Sequence, residues 1–194
     1  MRKIKLQMQI TLDGFVSGPN GELDWMVCDW DDTIKNYTTE LTNSADTFLM
    51  GRKTGEGMAV YWPTVAANPE SKPEDIWMAE RLNSWPKVVF SKTVSSINWT
   101  NVRVANDVVR ETRELKNKFG KDIIIYGGAG IVSSFIKENL IDEYHLYVNP
   151  TAIGEGKTIF EEVTDDFKLR LINTTRGDSG IVVLCYEPER KLVP

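Results

Sequence analysis

The chain has 194 residues, 41% hydrophobic and 26% charged, enough for one domain with a sizeable core. Its net charge of -5 argues against a nucleic-acid surface, and no apolar run approaches the roughly 20 residues a membrane helix needs. One histidine and two distant cysteines, Cys28 and Cys185, make a metal site unexpected, suit a reducing compartment and point to the cytoplasm.

In Met1–Ile10, Ile4, Leu6, Met8 and Ile10 alternate with Lys3, Lys5, Gln7 and Gln9, which is the period of a half-buried strand and not the apolar core of a signal peptide. Residues 11–25 carry three glycines and Pro19, a long loop of the kind that covers a site. Asp29, Asp31 and Asp32 open a helix with Trp30, Ile34, Tyr37 and Leu41 on one stripe. Thr47–Met50 reads as a short strand running into Gly51-Arg52-Lys53-Thr54-Gly55-Glu56-Gly57-Met58, a basic strand-to-helix junction. Residues 61–71, rich in alanine and proline, read as a loop. Pro73 to Trp85 reads as a helix stopped by Pro86.

Val88-Val89-Phe90 is a strand followed by the polar turn Ser91-Lys92-Thr93, and Val102 and Val104 belong to another short strand. Asn106 or Asp107 caps a helix with Val108, Thr112, Leu115 and Phe119 on one face, a Glu114–Lys118 pair along it, and Gly120 at its end. Ile123-Ile124-Ile125-Tyr126 has the composition of a buried strand. It meets Gly127-Gly128-Ala129-Gly130 and a helix bearing Ile131, Val132, Phe135 and Ile136 that runs to about Asn139. Past that point strands dominate: Tyr144, Leu146 and Val148 alternate with His145, Tyr147 and Asn149, and the turn at 176–180 joins a hairpin. The fold class is α/β, one domain over 1–194 with a mixed, mostly parallel sheet and an antiparallel C-terminal hairpin. The apolar surplus in Tyr144, Leu146, Val148 and 181–186 predicts a homodimer.

Three strand ends suit anions: Gly51-Arg52-Lys53-Thr54, Ser91-Lys92-Thr93 and Gly127-Gly128-Ala129-Gly130. Strand C-terminal ends of a parallel sheet share one edge, where ligands bind. Glycine turns offer bare N–H groups to a pyrophosphate, and separate cationic and hydroxyl groups suit an added 2′-phosphate, which predicts NADP(H) as cofactor. Gly-x-Gly-x-x-Gly after the first strand is absent, so the arrangement is not the standard dinucleotide fold.

These motifs, with Thr11-Leu12-Asp13-Gly14, Leu140–Leu146 and Ile153-Gly154-Glu155-Gly156-Lys157, resemble the dihydrofolate reductase-like superfamily. Within it the chain is most similar to stand-alone relatives of the C-terminal reductase domain of the riboflavin-biosynthesis deaminase/reductase. The resemblance implies a three-layer fold and an NADPH-dependent reductase. It places Arg52, Lys53 and Thr54, with Gly51, at the phosphates, and Ser91, Lys92 and Thr93 at the adenosine ribose and its 2′-phosphate. Tyr126, Gly127, Gly128, Ala129, Gly130 and Ile131 fall at the pyrophosphate and nicotinamide, with Gln9 and Ile10 at the nicotinamide amide. Asp13 and Gly14 begin a loop that closes over the cofactor.

Substrate contacts are expected from Trp25, Trp62, Met58 and Asp32, and proton delivery from Asp29, Asp31 or water admitted by the 12–25 loop. The three aspartates also suit helix caps, the tryptophans and Met58 also suit packing, and His145 is read as structural. The riboflavin enzyme has a glutamate where this chain has Tyr126. The expected chemistry is hydride transfer to a pterin- or ribosylaminopyrimidine-like heterocycle. An NADP-binding module without reductase activity and a flavin-using redox protein stay open.

Overall fold

The computed structural model describes residues 1–164 and 166–189, so the last five residues of the expected domain lie outside the described residues. The elements are β1 (Ile4–Ile10), α1 (Asp32–Asn43), β2 (Ala45–Gly51), α2 (Arg52–Ala67), α3 (Pro73–Ser84), β3 (Lys87–Phe90) and β4 (Val102–Ala105). They continue with α4 (Val108–Asn117), β5 (Asp122–Ile125), α5 (Ala129–Lys137), β6 (Glu143–Val148), β7 (Leu169–Arg176) and β8 (Val182–Pro188).

The strands form one sheet in the order β4-β3-β2-β5-β1-β6-β8-β7. From β4 to β6 every neighbour is parallel, whereas β8 pairs antiparallel with both β6 and β7. The mixed sheet with its antiparallel C-terminal hairpin is therefore present as expected.

Alternation within the strands assigns the layers. Ile4, Leu6, Leu49, Val88, Ile123 and Ile125 point to one face, where Val132, Phe135 and Ile136 of α5 and Leu115 of α4 complete a core. Phe48, Met50, Val89 and Ile124 point to the other, against Leu41 of α1, Leu82 of α3 and Met58, Ala59 and Trp62 of α2. This three-layer arrangement puts β1 in the middle of the sheet with helices on both sides. The strand is accordingly not half-exposed: Gln7 is buried on the second face although its neighbours alternate as a solvent-facing strand would.

Several local expectations are corrected. Residues 61–67 are helical, because α2 continues through Pro63. It packs along α3 and buries Val65, and that burial outweighs the lost backbone donor. At Gly55, inside α2, a Cβ would come 2.8 Å from Val89 Cγ2, so its absence lets α2 lie close to β3. Phe119 lies beyond α4 and is fully exposed, and Glu114 pairs with Arg110 and not with Lys118. Tyr144, Leu146, Ile181 and Val183 pack in the chain's own cores.

At the start of β6, Glu143 sits between Lys3 (2.5 Å), Lys5 (3.7 Å) and His145 (3.4 Å). The hydrogen bond from His145, aided by the two ammonium groups, pulls its carboxyl down to about 2. A carboxyl depressed in the folded state stabilises fully above its unfolded value near 4.5, and that contribution is lost as pH falls through 2. Glu143→Gln should flatten the acid limb of the stability curve between those values, removing about 2–3 kcal/mol of pH dependence. Urea midpoints from pH 2 to 7 check this, and parallel curves would contradict it.

Candidate functional site

The parallel strands β2, β3 and β5 end along one edge of the sheet, and the three anion-suited turns lie there. Gly51 caps α2 and Gly128 caps α5, both in extended conformation and neither with a side-chain cap. No acidic residue stands in the first turn of either helix, whereas α1 and α4 each carry one and α3 carries two. Their first-turn N–H groups and positive dipole ends are thus available to an external anion. The Gly51 N–H donates to the Gly127 carbonyl at 2.8 Å, which joins the two turns. Gly127 has φ +90° and is followed by a cis peptide to Gly128.

These turns open on a cleft of about 680 Å³, lined among others by Gly51, Arg52, Ser91, Lys92, Gly130 and Ile131. A Cβ on Gly130 would meet nothing within 4 Å. The structure thus brings six of the expected cofactor residues together from the ends of three strands. Ser91 Oγ accepts from the N–H groups of Thr93 and Val94, which shapes the turn, and Thr93 itself does not line the cleft. Lys53 is exposed beside it, and Thr54 packs under the glycine turn, its Oγ1 3.4 Å from where a Gly128 Cβ would stand. Asn106, Ser134 and Lys137 also line the cleft. Asn106 and Lys137 were invisible as site residues because each sits outside any glycine motif.

A second cavity, of about 430 Å³, lies on the other face of the sheet between α1 and the α2–α3 pair. Gln7 and Gln9 of β1 line it together with Tyr126, Met58, Trp62, Trp77 and Met78. Met58 and Trp62, expected at the substrate, and Gln9 and Tyr126, expected with the cofactor, thus share this cavity. Burial raises the Tyr126 phenol well above its usual value, so it stays protonated, and its hydroxyl approaches Met78 Sδ at 3.9 Å. Tyr126 and Gly130, four residues apart, line different hollows, so the end of β5 is the boundary between them.

Of the aspartates, Asp29 lies at the mouth of this cavity, and Asp31 and Asp32 do not line it. Asp31 is the N-cap of α1. Its Oδ1 accepts from the N–H groups of Thr33 and Ile34, and its Oδ2 from the N–H and hydroxyl of Ser179 at 2.9 and 2.7 Å. Those bonds, led by the Ser179 hydroxyl, hold its carboxyl far below the usual range, so it carries no proton to deliver. The expectation of Asp31 as proton donor is corrected to a structural tie between α1 and the β7–β8 turn. Asp31→Ala should lower the melting midpoint by roughly 2–6 °C and leave ligand affinities unchanged; calorimetry with a binding titration checks both.

Trp25 is buried and lines neither hollow, so it packs the 11–25 loop and offers no stacking wall. Asp13 accepts from Thr11 Oγ1 and from the N–H groups of Ile153 and Gly154, led by the Thr11 bond in keeping its carboxyl ionised. It fastens its loop, and the left-handed Gly14 (φ +87°) turns the chain beside it. Ile10 packs against the first core.

The family model for the RibD C-terminal domain matches residues 2–183. The chain belongs to the RibD C-terminal domain family. Among curated relatives, the uncharacterized protein YyaP of Bacillus subtilis (strain 168) is 36% identical over 95% of this chain and 94% of its own length. The diaminohydroxyphosphoribosylaminopyrimidine deaminase/5-amino-6-(5-phosphoribosylamino)uracil reductase of Thermotoga maritima superposes with a TM-score of 0.65 at 17% identity, over 96% of this chain and 56% of that one. Dihydrofolate reductase from Enterococcus faecalis, complexed with NADP(H), gives 0.62 at 18% identity over 97% of both chains. At these identities the two structures establish a shared fold. For a RibD C-terminal domain, the dihydrofolate reductase-like architecture expected from the sequence is therefore the observed one.

Proposed function

We propose that the protein is an NADPH-dependent reductase that transfers a hydride to a C=N or C=O carbon of a flat, pterin- or pyrimidine-like heterocycle. The observation that carries this reading is the pair of helix starts at Gly51 and Gly128 without side-chain caps, joined through the Gly51–Gly127 backbone hydrogen bond and opening on a cleft with Arg52 and Lys92. The residues fit a dinucleotide phosphate: bare N–H groups, two dipole ends and Lys92, whereas Arg52 and Lys137 of the same groove are already paired with Glu56 and Glu162. When bound, NADPH supplies the hydride, and the reduced substrate takes up one proton as well. The chain's part is to orient the two ligands on either side of the β5 end and to exclude water behind Trp62, Trp77 and Met78.

NADPH titration followed by tryptophan quenching tests the cofactor, and no binding of NADPH or NADH at millimolar levels would refute it. NADPH oxidation with dihydrofolate and with the ribosylaminopyrimidine phosphate tests turnover. A second reading, an NADP-binding module without reductase activity, is favoured by one observation: Asp31 is spent on a cap and Asp29 is exposed at the cavity mouth. Binding without turnover across both substrates would support it. We further propose a cytoplasmic homodimer. No described helix is long and apolar enough to cross a membrane, and the edge strand β7 leaves Leu171 and Ile172 nearly half exposed. Light scattering at low concentration checks the dimer, and a monomer would refute it.

A further inference from the structure

We infer that the cavity over β1 selects an unphosphorylated, neutral or cationic heterocycle through the cyclic-amide or amidine edge of its ring, read by Gln7 and Gln9. The inference deepens the reductase reading and rests on it for the chemistry, but not for the binding.

The first ground is the floor of the cavity. Gln7 lies at the centre of an eight-stranded sheet, on a face where Phe48, Met50 and Ile124 are otherwise apolar, and is 8% exposed. Its Oε1 has no hydrogen-bond partner among the described residues. A buried amide oxygen without a donor costs about 1–3 kcal/mol, so a core without a ligand would favour a leucine or methionine here. Gln9, two residues along the same face, is in a different state. Its Oε1 accepts from Asn149 Nδ2 at 2.7 Å, which fixes the carboxamide and leaves its NH₂ end to donate. The floor therefore holds one acceptor in need of a donor, which a half-turn of the Gln7 carboxamide brings to the cavity, and one oriented donor, two strand positions apart, a spacing of roughly 6–7 Å. A ring carrying N–H and C=O (or amino and ring nitrogen) along its edge matches that pair.

The second ground is charge. The walls are Trp62, Trp77, Met58 and Met78, which suit a flat apolar body. The mouth holds Asp29, Glu74 and Asp75 against Lys35 and Lys72, and Lys35 is already bonded to Glu74 at 3.0 Å. A phosphate leaving this cavity would meet a mouth of net negative sign. The chemistry that welcomes phosphate lies across the sheet, in the Gly51–Gly128 cleft. The substrate side thus lacks a partner for the phosphoribosyl group that the name of the Thermotoga maritima relative implies for its own substrate.

Three probes test this on the full chain: lumazine, riboflavin, and riboflavin 5′-phosphate, which differs from riboflavin by the phosphate alone. Binding is read by quenching of the cavity tryptophans and by thermal shift, without NADPH. Lumazine and riboflavin are expected to bind, with the phosphate at least about fivefold weaker than riboflavin. Gln7→Met, which keeps length and removes the acceptor, should weaken lumazine roughly 5- to 50-fold and leave NADPH affinity within about twofold. Asp29→Lys, at the exposed mouth, should narrow the gap between riboflavin and its phosphate at least about threefold. The inference is overturned if none of the probes binds, if the phosphate binds as well as riboflavin, if Gln7→Met has no effect, or if Asp29→Lys leaves the ratio unmoved. Failure of NADPH to bind while lumazine binds would instead refute the reductase reading and leave this one standing.

Discussion

Lys92→Glu is expected to weaken NADPH binding roughly 10- to 100-fold, about 1.4–2.8 kcal/mol, while changing NADH binding less than about threefold. The two cofactors differ only by the 2′-phosphate. Lys92 and Ser91 stand on the turn after β3, apart from the two glycine-capped helix starts that supply backbone N–H groups to the same cleft. A side chain that meets the added phosphate loses a charge-assisted contact and gains a repulsion on reversal, and NADH does not register either. Lys92 is exposed, makes no ion pair within the described chain and tops no core, so the substitution should leave the fold intact. Titration of both cofactors against both proteins decides the matter. Equal weakening of NADPH and NADH would move Lys92 to the pyrophosphate, and no change in either would remove it from the site.

Phe48→Ala is expected to cost about 3–5 kcal/mol of stability, a fall in midpoint of roughly 6–20 °C, and to lower affinity for any ligand of the β1 cavity. Phe48 is fully buried in β2. Its ring stacks on Trp85 at 5.0 Å and leans on Tyr126 at 5.2 Å. Removing it takes away transfer energy, leaves a void between sheet and α3, and frees the ring that lines the cavity beside Trp62. Phe48→Leu should recover most of the stability but less of the ligand affinity, since a branched aliphatic fills volume without fixing the Tyr126 ring plane. Thermal melts and a lumazine titration on both variants read the two effects separately. Identical losses for Ala and Leu would show that Tyr126 is held by other neighbours.

The strands were legible because composition and period agree: Ile123–Ile125 is buried on both faces and Val88–Phe90 likewise. The glycine turns were legible because backbone approach to an anion demands that residue. Helix α2 was not, because its breakers have tertiary explanations: Gly55 yields space to Val89, and Pro63 is carried by packing on α3. The cavity was half legible. Met58 and Trp62 were singled out, but Trp77 and Met78 join them only through the α2–α3 pairing, which no local pattern encodes. In β1 the alternation of apolar and polar residues fits one dry and one wet face, yet the strand is central. A period of two reports polarity, and it does not distinguish bulk water from a ligand cavity. Asp31 misled for a related reason: an aspartate at a helix start suits both capping and chemistry, and only the position of Ser179 in the distant hairpin turn separates them.

The hydrogen bond from Gly51 to Gly127 assigns different tasks to main chain and side chain. The separation of the two helix starts is set by backbone atoms, in residues that have no side chain to vary. Arg52, Lys92 and Lys137 stand around that fixed frame, outside the hydrophobic cores. If the cleft takes a nucleotide cofactor, as proposed, preference among such cofactors is a trait that can change one surface substitution at a time, while the backbone frame and the stability of the fold stay as they are.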